Sequence, residues 1–139
     1  MAVEINITYE GGLHSAAIHG PSKNTLTTDA PVDNGGKGAA FSPTDLVATA
    51  LGTCIATVMG LVAQRNHLDI DGLQIQVLKE MTADPVRRIG SLTTRLVFPQ
   101  GKSLSATDRA KLEAAAKACP VKQSLHPEVK TPMEFVYPE

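Results

Sequence analysis

The sequence predicts an α+β fold, and three observations carry that prediction. Segments near both ends and in the middle alternate apolar and polar residues, as half-buried strands do. One stretch, Leu46 to Ala63, is apolar nearly throughout and reads as a central helix. Two further helix patterns follow the middle strands, so the order is strands, a helix, strands, helices, a strand. With 139 residues and no repeat, low-complexity tract or internal linker, the chain is expected to form a single domain over residues 1–139.

The elements follow in order. "VEINITY" has the period of a strand, "EGG" makes a turn, and "LHSAAIHG" and "PSKNTLTTD" supply a second and a short third strand. "APVDNGGKGAAFSP" is a Gly-rich, Pro-bounded loop, expected to be flexible. The long helix starts with Ser42 as cap, Pro43 in the first turn and Asp45 at the capping-box position, and Asn66 stops it. Apolar residues surround it on every side, which places it inside the protein or under a partner. "DIDGLQIQVLKEMT" and "GSLTTRLVFP" are two strands joined by "ADPVRRI". "SLSATDRAKLEAAAKAC" is an amphipathic helix capped by Ser105 with Asp108 three residues on, "PVKQSLH" starts a shorter one, and "TPMEFVYP" is a last strand.

Composition excludes several functions. A formal net charge of −1, with no dense Lys/Arg cluster, argues against nucleic acid or an anionic membrane as partner. Trp is absent and aromatics make up 4% of residues, so stacking on bases or sugars is not the theme. The N-terminus lacks a basic start followed by an apolar run, and the expected location is cytoplasmic. Thr49, Gly52, Thr53, Thr57 and Gly60 interrupt the apolar stretch and no positive flank directly precedes it, so a fully buried central helix is expected rather than a membrane span. The four histidines and two cysteines show no metal-ligand spacing, and "NGGKGA" lacks the spacing of a phosphate-binding loop. No metal or other cofactor is expected.

The two cysteines carry the candidate chemistry. Cys54 lies in mid-helix, where a small buried hydrophobe is the plain alternative; its neighbours Gly52 and Ala56 leave room for another helix to approach. Cys119 precedes Pro120 and is therefore the expected N-cap of the short helix, facing unpaired backbone N–H groups. That position, with Lys117 and Lys122 nearby, is expected to favour the thiolate. The plain alternative is a kinked helix with a cysteine at the break.

"SPTDLVATALGTC" followed by "ACPVKQSL" resembles the OsmC/Ohr family of organic hydroperoxide reductases. The "ALGTC" form and the "GGKG" loop are more similar to the broader OsmC-like branch than to the best-characterised peroxidases. The resemblance implies an intertwined α+β homodimer in which antiparallel strands wrap around a long buried central helix. It implies that Cys54 attacks the peroxide O–O bond and becomes a sulfenic acid. Cys119 then resolves it as a disulfide, and an external dithiol, of lipoyl type in some members, reduces the pair. The peroxidase branch also has Glu directly after the proline and an Arg that pairs with it. Here Thr44 follows Pro43, the acid is Asp45, and no Arg precedes Arg65. Lys37 is the one nearby loop cation, a poor substitute for a planar, bidentate guanidinium. Asp45 is thus a candidate catalytic acid or simply a helix-capping one, with Lys37 and Thr44 as auxiliary candidates. At roughly 100° per residue, Asp45 and Cys54 project from opposite faces of one helix, so a shared site would need Asp45 from the second subunit. A rival function is a dimeric binding protein that holds a small apolar or acyl ligand without peroxide turnover. A third leaves both cysteines structural.

Overall fold

The computed structural model describes residues 1–139 as two compact units, residues 1–47 and 48–139; the long helix begins in the first and continues through the second. The N-terminal unit is an antiparallel sheet of β1 (Ile5–Gly11), β2 (His14–His19) and β3 (Thr25–Asp29), in that order. Gly11 and Gly12, both at positive φ, turn β1 into β2, where a side chain would be strained. Ile7, Ala17 and Leu26 face one another across the three strands, on the same side as Ile5 and Tyr9. That face is open: Ile7 is 69% exposed and Leu26 46%.

Asp29, buried at the end of β3, organises the segment that follows. One carboxylate oxygen accepts from His14 Nδ1 at 2.5 Å and the other from the Ala39 amide at 2.9 Å. Its own amide donates to the Phe41 carbonyl, and Ala30 N–H donates to Leu13. Inside this clasp, Val32–Asn34 form a 3-10 turn, and a Cβ at Gly36 would collide with the Ala30 carbonyl. The Gly-rich stretch, expected to be flexible, is instead hydrogen-bonded to the sheet, because Asp29 supplies acceptors no local pattern announces.

α1 (Pro43–Arg65) starts as its sequence predicts. Ser42 Oγ accepts from Asp45 N–H at 3.1 Å and Asp45 Oδ2 accepts from Ser42 N–H at 2.9 Å, a reciprocal capping box. Asn66 closes the far end, its side-chain amide donating to the Val62 carbonyl at 2.8 Å.

In the C-terminal unit, β4 (Gln74–Thr82), β5 (Arg88–Val97) and β6 (Met133–Val136) form a second sheet with β5 central. β4 and β5 are an antiparallel hairpin, but β6 runs parallel to β5. The expectation of antiparallel strands throughout is corrected here: α2 (Ala106–Lys117) and α3 (Pro120–Ser124) lie between β5 and β6 and carry the chain back, as a parallel neighbour requires. Leu51, Ile55 and Met59 of α1, Leu92 and Leu96 of β5, Phe98, and Leu112 and Ala116 of α2 form the buried core. The C-terminal tail is held by Tyr137, whose ring stacks on Phe98 with centroids 4.5 Å apart and lies under the Arg109 guanidinium at 4.2 Å. Its hydroxyl donates to Glu113 at 2.8 Å; burial first, then that carboxylate, pushes the phenol well above its usual range.

One expectation about α1 is corrected. Gly52 makes room for a strand, not another helix: a Cβ there would lie 3.1 Å from Val77 of β4. Within one chain the helix is covered along one side. One stripe, Ala48, Leu51, Gly52, Ile55, Met59 and Ala63, is covered, whereas Thr49, Thr53, Thr57 and Leu61 stand exposed one turn apart. Thr53 and Thr57 turn their hydroxyls back onto the carbonyls of Thr49 and Thr53, both at 2.8 Å. By length and apolarity α1 would also suit a membrane span, with 33% of its most apolar window buried in one chain.

Candidate active site

The site begins where α2 ends. A proline cannot continue a helix, because it lacks an N–H and its ring clashes with the preceding turn, and it also drives the residue before it out of helical backbone. Cys119 accordingly adopts φ −63° and ψ 141°, and the chain restarts as α3 with Pro120 in the first turn. As the sequence predicts, Cys119 is the N-cap, its Sγ accepting from the Lys122 amide at 3.3 Å. The Val121 amide also points to this sulfur.

The ionisation expected of that position is corrected. Burial, the largest influence, pushes the Cys119 thiol above its usual pKa. The Lys122 amide pulls it down, and the adjoining Cys54 thiol pushes it up again, through a hydrogen bond and through its charge when ionised. Cys119 has 0% of its surface exposed, so the loss of water outweighs two backbone donors. Lys122 Nζ donates to the Lys117 carbonyl at 3.3 Å.

Cys54 reaches Cys119 from mid-α1. It projects from the border between the buried stripe of the helix and its threonine-lined exposed side, and is partly exposed. The two thiols, both reduced, adjoin closely enough for Cys54 to raise the Cys119 pKa, although they lie on different elements far apart in sequence. Leu51 and Ile55, flanking Cys54 in the helix, are fully buried and fix the rotation of α1 that aims it. An adjoining pair of free thiols, one enclosed and one partly open, can form a disulfide through a sulfenic acid.

The other candidates belong to the N-terminal unit. Asp45 closes the α1 capping box, Thr44 Oγ1 lies 3.3 Å from Ser42 Oγ, and Lys37 is exposed on the Gly-rich segment. The backbone donors at Cys119 are those its Cys-Pro position announces, with the Lys122 amide on the sulfur. A cavity of about 330 Å³ follows α3, lined by Lys122, Leu125, His126 and Val129 among others. No group of three or more His, Cys, Asp or Glu side chains is gathered for a metal.

This arrangement, one cysteine in a long apolar helix beside a second at a Cys-Pro helix start, defines a two-cysteine α+β protein. The chain belongs to the OsmC-like protein family, whose model matches residues 35–134. A provisionally named osmotic-stress-induced and detoxification-response protein from Psychrobacter arcticus is 40% identical, with 94% of this chain and 93% of that one covered and a TM-score of 0.88. The fold is shared with an OsmC-like protein from Mycoplasma pneumoniae, 16% identical over 100% of this chain and 99% of that one, at a TM-score of 0.82. It is shared too with an organic hydroperoxide resistance protein OsmC from Legionella pneumophila, 16% identical over 98% and 97%, at 0.77. No curated protein matches the chain.

Proposed function

We propose that this protein is a thiol-dependent peroxidase that reduces organic hydroperoxides through Cys54 and Cys119. The observation that supports it most is the meeting of the two free thiols. In this cycle the Cys54 thiolate attacks the hydroperoxide, the O–O bond breaks, and the alcohol leaves with a proton while the sulfur becomes a sulfenic acid. Cys119 then attacks that sulfur, water leaves, and a disulfide joins the pair. Oxidation of Cys54 removes its thiolate charge and its thiol hydrogen bond, two of the influences that hold the Cys119 thiol up. Resolution thus becomes easier once it is needed. An external dithiol returns the pair to thiols.

The proposal includes one OsmC-like domain over the whole chain, a cytoplasmic location, no nucleic-acid or membrane partner, and an intertwined homodimer. The open apolar face of the N-terminal sheet and the exposed side of α1 support the dimer, since both lack cover within one chain. Relatives of this fold from Legionella pneumophila and Elizabethkingia anophelis are named organic hydroperoxide resistance proteins, which supports the substrate class. Asp45 is proposed to serve from the second subunit, as its helix position opposite Cys54 requires. Mixing Asp45→Asn with Cys54→Ser chains should then restore activity; no recovery after confirmed subunit exchange would count against a shared site.

The test of the activity is consumption of cumene hydroperoxide with a dithiol as electron source. Turnover should be lost in Cys54→Ser, and in Cys119→Ser it should stop at a sulfenic acid trappable by dimedone. A second reading, a binder of a small apolar or acyl ligand, draws on Thr44 after the proline and on the absence of any Arg before Arg65. Stoichiometric retention of such a ligand with no peroxide consumed would favour it.

A further inference from the structure

One cavity of the C-terminal unit has no part in the chemistry above. It measures about 330 Å³ and is lined by α3 and by the segment that leads to β6. No lining residue belongs to the open face of the N-terminal sheet or to the threonine side of α1, the two surfaces that the proposed dimer covers.

The polar part of the lining is rich in donors. Lys122 Nζ gives one N–H to the Lys117 carbonyl at 3.3 Å and keeps its other N–H groups. His126 Nδ1 accepts from the Glu128 amide at 3.1 Å, so the ring carries its proton on Nε2 and donates from that edge. Thr131 adds a hydroxyl and Gln123 a side-chain amide. No carboxylate lines the cavity, and Glu128, the acid nearest in the chain, is paired with Arg88 at 2.9 Å. Leu125, Pro127 and Val129 supply apolar wall. A cation and several donors with no anion among them, beside apolar side chains, complement a carboxylate that carries a short hydrocarbon tail.

We propose that this cavity binds a small aliphatic monocarboxylate and that its occupant steadies the Cys119 end of α3. Lys122 is the link, because it lines the cavity while its backbone amide holds Cys119 Sγ at 3.3 Å. α3 is five residues long, and the Gln123 amide is bonded to the Cys119 carbonyl at 3.1 Å. Opening of this turn away from the sulfur therefore carries Lys122 with it and breaks the ligand's contacts. A ligand that binds only the closed turn favours that state by mass action. The site goes beyond the peroxidase reading and does not depend on it.

The test uses the reduced full-length protein and sodium octanoate, followed by proton–nitrogen correlation spectra. Octanoate should saturate with a dissociation constant on the order of a millimolar, as befits a ligand of about ten heavy atoms, and should shift the amides around α3 first. Octanol lacks the charge and acetate lacks the tail; each should bind about tenfold more weakly or worse. Lys122→Met keeps the side-chain stem and the backbone amide, and should weaken octanoate by about tenfold while leaving Tm in place. With octanoate at about ten times its dissociation constant, exchange of the Lys122 amide should slow by up to about tenfold. Absence of saturation, equal binding of octanol, or unaltered affinity in Lys122→Met overturns the site. Saturable binding with unchanged exchange at Lys122 overturns the link to Cys119. A protein that binds octanoate in this way but consumes no cumene hydroperoxide refutes the peroxidase reading and leaves the site standing.

Discussion

In the C-terminal unit, the buried side chains are mostly apolar and come from α1, β5 and α2, with Leu51, Leu92 and Leu112 fully enclosed. The N-terminal unit buries only Asp29 and Ser42, both polar, and leaves Ile5, Ile7, Tyr9 and Leu26 in solvent. One unit is held by packing, and the other is shaped by hydrogen bonds around two polar anchors. A three-stranded sheet with an uncovered apolar face gains little from burial of that face. The difference teaches that hydrogen bonds can fix a loop's conformation in a unit that buries little apolar surface of its own.

The largest effect should come from the packed unit. Leu92→Ala removes a fully buried side chain from the central strand and should cost about 2–5 kcal/mol in urea unfolding. A loss below 1 kcal/mol, by the same scale, would break the contrast by showing that β5 is not the core. In the other unit, Ser42→Ala deletes the α1 cap and should cost about 1–2 kcal/mol, because the Asp45 amide loses its acceptor. Smaller still, Ile7→Ala should change the stability of an isolated chain by about 0.5 kcal/mol or less. If a second subunit covers that face, as proposed, the same change should lower Tm by an amount that depends on protein concentration. Sedimentation of wild type and variant across a dilution series checks this.

Acid should act on the hydrogen-bonded unit first. The hydrogen bond from His14, the largest influence, holds the Asp29 carboxyl below its ordinary value of 3.8, with the Ala39 amide helping and burial opposing. A depressed folded pKa gives stability that is present above 3.8 and lost as pH falls through the folded value. Amide exchange in residues 38–41 should therefore quicken on acidification, and Asp29→Asn should flatten that dependence.

Most elements were legible because their signals are local. Ser42, Pro43 and Asp45 announce α1, Ser105 and Asp108 announce α2, and Cys119 with Pro120 announces α3; each cap forms as read. What was not legible depends on distant residues. The parallel placement of β6 is a matter of topology, which strand periodicity does not encode. The His14–Asp29 contact needs the register of β2 against β3, and the clasp on the Gly-rich segment follows from it. The partial exposure of α1 is a property of how much surface one chain has to cover it. Neighbours in sequence argue for an easily ionised Cys119, but enclosure by α2, α3 and the core reverses the sign. The pairing of Cys54 with Cys119 entered through family resemblance; no spacing in the sequence states it.

Thiol titration with intact mass after one equivalent of cumene hydroperoxide, with hydrogen peroxide in parallel, tests the redox pair most directly. Rapid loss of both thiols with a mass decrease of two hydrogens, faster with the organic peroxide, is the expected result. Survival of both thiols through that treatment would contradict it, and Cys54 and Cys119 would then be neighbours in a core rather than partners in a reaction.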